Sequence, residues 1–409
     1  RRGYAHFSRS SDNRSADIAA EAHNNIGLKF LYNLLDANPL MMGTLSDKGK
    51  TYYINSKQTL LSVHRDIYNI KDIVSADENT SIYSEQGVGE NKVKIGDHTF
   101  TLSCDYDSFL LGSYVNAYIK DDGDNAATVI VIKEVENRNK RLKVWDEKIR
   151  PVRSVNGKIT EITYETESER TKKIKLAQHP KVIINGKFYG DYNETDLMPK
   201  NGYLEFLDNN DDAKYEIIFV RYYETIVVHG INADEKIIKN EYEFNSARDT
   251  LDLDPSGTEI IYSVIKDGKE IKLSEIAVGD VLSVAMSRGT GNTRLCEIIV
   301  CSDKREFGVT DIDMSENEIS DGNTVYTLGA DYLSYINHKN EIIILGNEYE
   351  FRFDAFGRIA YSKILSKEMY VLFFRAYEGN SDDNSFVRYL DMSGEWKSTK
   401  LAKRVTVNG

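Results

Sequence analysis

Cysteine, proline, tryptophan and long apolar runs are all scarce in this sequence, and each scarcity excludes something. Three Cys in 409 residues (Cys104, Cys296 and Cys301) form neither a disulfide framework nor a CxxC pair. Cys296 and Cys301 stand five apart around the strand pattern Glu297 to Val300, so they face opposite sides. They read as small buried thiols, not as a chelate or a local bridge. Low Cys use suits the cytosol and a disulfide-free bacterial surface equally. No apolar run approaches the roughly 18 residues of a membrane span. The seven His are scattered, with no HExxH or paired spacing. His64 and His98 are the two that one module would bring together, and a hydrogen-bonded structural His is the commoner outcome. Basic residues are outnumbered: the net charge of −13 argues against a dedicated nucleic-acid binder, which needs a basic surface. It suits a soluble or surface-displayed protein that resists non-specific association. No signal peptide is visible, but the chain opens on Arg1-Arg2 without Met and stops at Val405 to Gly409 within a hairpin pattern. These ends suggest a piece of a longer precursor.

What is present is β-strand signal. Hydrophobic residues make up 41% and aromatics 11%, which places the chain among folded proteins, and the 26 Tyr suit half-exposed sheet faces. Gly346 to Ile364 is the clearest stretch. Tyr349, Phe351 and Phe353 alternate with Glu350, Arg352 and Asp354, then Asp354-Ala-Phe-Gly357 turns and Ile359-Ala-Tyr361 returns. The design recurs. From Gly112, Val115, Ala117 and Ile119 keep the same offsets, and Gly123 follows Gly112 by eleven residues as Gly357 follows Gly346. Gly279 opens another copy with Leu282, Val284 and Met286, and Ile298 to Val300 as its return. A fourth copy starts at Gly202 with its side-chain phase shifted by one.

Taken in order, residues 1–45 read as a polar arm followed by a helix over Ser15 to Asp36, stopped by Pro39. Four β modules follow at 46–140, 141–224, 225–302 and 303–365, and 366–409 begins a further β element. The expected fold is mainly β: tandem small β-barrel or β-sandwich modules behind an N-terminal helical segment. Five Pro and a single helical pattern fit such an array, and modules of about 65 to 90 residues are too long for solenoid coils.

The strongest cation candidate is Asp208-Asn-Asn-Asp-Asp-Ala-Lys-Tyr-Glu216. Asp208, Asn210 and Asp212 occupy positions 1, 3 and 5 of a calcium loop. Ala213 stands at position 6, where the bend favours Gly, and Phe219 at position 12, where a bidentate Glu is needed, so it is not an EF-hand. The same residues also suit a solvated hairpin turn. Asp121 to Asp124 and Ser381 to Asp383 are similar acidic tips. Ser287 to Asn292 is Gly-rich, but it joins strand to strand and has no following Lys-Ser/Thr, so it reads as a hairpin tip and not a phosphate cradle. No local pattern marks a pair of glycosidase carboxylates. Arg138 to Arg141 and Arg170 to Lys175 are basic islands that default to solvated faces.

Several phrases together resemble the body region of clostridial and related Firmicute cell-surface proteins that carry S-layer homology domains. They are Phe30 to Asp36, Thr59 to His64, Ile73 to Ala76, Leu110 to Gly112 with Val115 to Tyr118, Gly202 to Asp208, Ile276 to Ala285, Phe353 to Ala360 and Arg404 to Gly409. The resemblance implies a secreted, wall-attached protein whose anchor repeats bind cell-wall polysaccharide. The anchor repeat itself, with its threonine-arginine-alanine-glutamate signature, is absent from these residues, and no catalytic residue carries over. The expectation is a non-enzymatic structural protein of a bacterial cell surface, an S-layer-associated fibre, stalk or lattice component that self-associates into a homo-oligomer or polymer. The alternatives are a polysaccharide-binding adhesin, whose aromatic platform would have to use Tyr because Trp145 and Trp396 are the only Trp, and a structural protein of a phage particle. Calcium is the one cofactor suggested, and the partners expected exclude nucleic acid.

Overall fold

The computed structural model describes residues 67–366 except 122, 124–126, 136, 156, 245–248 and 289–290, together with 43–45, 52–54, 372–378, 385–390 and 394–400. The helix expected over Ser15 to Asp36 lies outside these residues. So do the strand pattern Thr59 to His64, the acidic tip Ser381 to Asp383 and parts of Asp121 to Asp124 and Ser287 to Asn292. Among the described residues strands account for 54% and helix for 8%, so the class is mainly β. The chain divides into two compact units, 1–223 with 256–261 and 285–296, and 224–255 with 262–284 and 297–409.

In the first unit, β1 (Gly43–Leu45) pairs antiparallel with β2 (Tyr52–Ile54). A closed barrel follows, built from β3 (Ile67–Ala76), β4 (Lys92–Ile95), β5 (His98–Leu102), β6 (Tyr114–Lys120) and β7 (Thr128–Glu134) in the order β3-β4-β5-β7-β6. Closure removes the sheet edges. Alternation fills the interior: Val115, Ala117 and Ile119 of β6 are fully buried with Val74, Val93, Ile95 and Val129. Next come β8 (Lys140–Trp145), β9 (Glu161–Glu165), β10 (Thr171–Ile184), β11 (Lys187–Phe188), β12 (Gly202–Asp208) and β13 (Tyr215–Tyr222). They form one sheet ordered β11-β10-β13-β12-β8, with β9 on β10. Its core is Leu204, Phe206, Ile218, Val220, Val182 and Ile184.

In the second unit the longest sheet runs β16-β15-β14-β19-β20-β17-β18. Its strands are β14 (Glu224–Asn232), β15 (Ile237–Asn240), β16 (Thr250–Asp252), β17 (Glu259–Lys266), β18 (Lys269–Glu270), β19 (Val281–Met286) and β20 (Thr293–Cys301). The ends 256–261 and 285–296 count with the first unit. Then come β21 (Lys304–Gly308), a meander of β22 (Asp311–Asp313), β23 (Glu318–Ser320) and β24 (Val325–Thr327), and helix α1 (Ala330–Lys339). β25 (Glu348–Phe353) lies between β21 and β26 (Ile359–Ser366). The hairpin expected from Gly346 is therefore present, and Tyr349, Phe351 and Phe353 point into the core. A last antiparallel sheet joins β27 (Leu372–Glu378), β28 (Ser385–Leu390) and β29 (Trp396–Lys400).

The expectation of one helical segment, at the N-terminus, needs correction: α1 interrupts the fourth predicted module. Tyr332 and Ile336, one turn apart, are buried, and Asn340 at φ +54 ends the helix in the left-handed region.

The glycine copies share one backbone device. Gly112, Gly279 and Gly346 have φ of +79, +91 and +82. Each is the third residue of a tight turn closed by Ser113 N to Leu110 O, Asp280 N to Ala277 O, and Asn347 N to Ile344 O. With Leu111 at φ −56 and ψ 128, the first is a type II turn, which requires positive φ at this position. Each glycine N–H also donates to a buried valine carbonyl: Gly112 to Val74, Gly279 to Val228 and Gly346 to Val309. The same valines donate back to Ser113, Asp280 and Asn347 respectively. The fourth copy explains its own shift. The positive-φ residue there is Asn201 (φ +71), not Gly202, and Leu204, Phe206 and Asp208 fall at the expected offsets from it. Gly202 serves a different need, because a Cβ there would lie 1.9 Å from the Arg221 carbonyl.

Candidate functional site

The acidic loop joins β12 to β13 after the register pair Leu207 and Ile217. Strand alternation makes Asp208 the next inward position after Leu204 and Phe206, so its carboxylate is buried where the sheet ends. Burial of a charge demands partners. Asp208 Oδ1 accepts from the backbone N–H of Asn210 (3.2 Å) and Asp211 (2.7 Å), and Oδ2 from that of Ala213 (3.0 Å). These bonds wrap the loop around one carboxylate. Asn210 Oδ1 accepts from Asp212 N, and Asp212 Oδ1 from Lys214 N, at 2.9 and 2.8 Å.

Three carboxylates converge there. Asp208, Asp212 and Glu216 bring oxygens within 4.8 Å of one another. Two of these were expected from the sequence. Asn210 serves them differently: its amide nitrogen donates to Glu216 Oε1 at 3.0 Å. Glu216, which the sequence reading left without a role, stands at position 9 of the loop count, and that spacing was the available signal. Asn209 N–H holds its other oxygen at 3.1 Å. Burial, and then the charges of Asp208 and Asp212, push the Glu216 carboxyl above its usual range. Position 12, Phe219, lies in β13 opposite Glu205 and offers no ligand. The trio presents hard oxygen donors on one side of a turn, the chemistry a divalent cation such as calcium takes. Lys140 and Lys214 stand beside it, paired with Asp211 and Asp212.

The other sequence candidates disperse. None of Cys104, Cys296 and Cys301 is in a disulfide. Cys296 is buried with Ile298 and Val300, and Cys301 is half-buried on the opposite face of β20. His98 lies exposed on β5, its ring 6.3 Å from that of Phe100, while His64 is outside the described residues. Arg170, Lys172, Lys173 and Lys175 are exposed, as a solvated island should be. Arg141 is not. Its Nη1 sits 2.6 Å from Glu205 Oε1, and its Nη2 lies 3.3 Å from Glu134 and donates to the Phe109 carbonyl and the Ser113 hydroxyl. The Phe109 ring covers its guanidinium at 3.5 Å. Its place on β8, beside β12, makes it a structural centre of the first unit.

No protein-family model matches this chain, and neither does any curated protein. Among the described residues no helix is long and apolar enough to cross a membrane, in line with the expected lack of a helical span.

Proposed function

We propose that this chain is a non-enzymatic structural protein of a bacterial cell surface, an S-layer-associated fibre, stalk or lattice component. In this reading 46–140, 141–224, 225–302 and 303–365 are tandem barrel- or sandwich-like modules and copies of the chain self-associate through them. The observation that carries the reading is the thrice-used device of a positive-φ glycine locked to a buried valine, with Asn201 as a fourth, divergent version. Repetition of one supersecondary unit builds length and surface, which is what an assembly component needs. The resemblance to S-layer homology proteins supports an extracellular, wall-attached setting, with polysaccharide held by an anchor outside these residues.

Calcium enters this reading as a clip at Asp208, Asp212 and Glu216, offsetting three like charges where β12 turns into β13. Sedimentation velocity and negative-stain electron microscopy of the purified chain, with calcium and with chelator, test the assembly. Regular polymers or sheets are expected. A single monomeric species at every concentration in both conditions would sink it.

A further inference from the structure

The ladder between β10 and β13 breaks at one place. From Leu176 to Lys181 β10 advances five residues, while β13 advances two, from Tyr215 to Ile217. Pro180, which has no N–H to give a ladder, stands in the excess, and Gln178 and His179 are thrown out to solvent. Extra strand residues of this kind re-aim side chains, and here they edge a cleft of about 480 Å³. That volume lies within the range of small-ligand sites.

The lining has a definite chemistry. Tyr189 and Tyr192 line it half-buried, and burial pushes the Tyr192 hydroxyl above its usual range. Gln178, His179 and Asn193 add polar groups at the rim. Lys158 and Lys181 supply two cations, the second with its Nζ 5.2 Å from the Tyr83 ring centroid. The one acid, Glu194, is held below the usual carboxylate range chiefly by the Ser154 hydroxyl. The cleft is therefore cationic on a chain whose net charge is −13.

We infer that this cleft binds an acidic glycan. Sugar C–H faces pack on tyrosine rings, hydroxyls take amide and imidazole partners, and a carboxylate or phosphodiester on the glycan meets Lys158 and Lys181. The inference stands on the cleft alone and does not require the chain to polymerise.

Calorimetric titration of the whole chain tests it with three probes: oligogalacturonate, a hexose oligosaccharide joined by phosphodiesters and a neutral malto-oligosaccharide. Saturable binding of at least one anionic probe is expected, at least about tenfold tighter than that of the neutral one. Whichever anion binds more tightly identifies the charged group as carboxylate or phosphodiester. Lys158→Glu and Tyr192→Ala should each weaken binding by about tenfold or more. Lys158 is exposed, so its variant keeps the fold and decides the matter if Tyr192→Ala does not fold. Equal affinity for the neutral probe, no binding of either anion, or unchanged affinity in Lys158→Glu would each overturn the assignment.

Discussion

Gly112 combines φ of +79 with a neighbour, Ile217 Cδ1, only 2.1 Å from where a Cβ would stand. Gly112→Ala therefore incurs both the left-handed penalty and an overpacked core, and should cost about 3 kcal/mol in urea unfolding. Ala213 occupies the same backbone region, φ +63, in a loop where Asp208 fixes its N–H. There the change runs the other way: Ala213→Gly should stabilise by about 0.5 to 1 kcal/mol. Glu216 adds a dependence on pH. Its carboxyl is raised in the folded chain, so the protonated form is favoured there. Without metal, the unfavourable contribution grows as pH rises from the ordinary carboxylate range to the raised one, and persists above it. Glu216→Gln should raise the Tm of the chelated protein near neutral pH and lose the difference in acid. The same variant should abolish the Tm increase that about 1 mM calcium gives the unaltered chain. A calcium effect that survives the substitution would place the ion elsewhere. The trio was half legible because Asp208 and Asp212 follow calcium-loop spacing. Glu216 was obscured by its position in a strand pattern, where alternation alone reads it as an outward polar residue.

At the scale of elements, strands of regular alternation were plain in the sequence because burial on one side imposes period two. The barrel strands β4 and β6 lie where Val93 and Ile95, or Val115, Ala117 and Ile119, put them. Helix α1 was obscured by its shortness. Asp331 in its first turn, His338 and Lys339 in its last and Asn340 beyond are helix signals, but Gly329 provides no capping side chain. What holds it is tertiary: the Tyr332 hydroxyl is 2.6 Å from Ser362 Oγ, and Asp331 accepts from Thr225 N at 2.8 Å. Arg141 was misjudged for a related reason, since a cluster of charges says nothing about which member a neighbouring strand covers. Truncating it leaves Glu205 and Glu134 uncompensated at a largely buried site, so Arg141→Met should destabilise the first unit by about 3 kcal/mol. Arg141→Lys should recover only part of that, because an ammonium cannot span two carboxylates, a carbonyl and a hydroxyl as the guanidinium does. Full recovery by lysine would show that charge alone, not the fork, matters here.

For the whole molecule, the proposed assembly has to work against its own charge. At −13 per chain, copies repel one another at long range, and the Debye length sets how far that repulsion reaches. It falls from about 30 Å at 0.01 M salt to about 8 Å at 0.15 M. Contacts between β modules that rest on Tyr-rich faces are little weakened by salt, whereas the opposing repulsion is strongly screened. Self-association followed by sedimentation should therefore strengthen across that range, and strengthen further with calcium if the Asp208 loop sheds part of its charge to the ion. Association that instead weakens as salt is added would mean that basic islands such as Arg170 to Lys175 dock onto acidic surfaces of a neighbour. The interface would then be sought among exposed lysines and arginines and not on the aromatic faces.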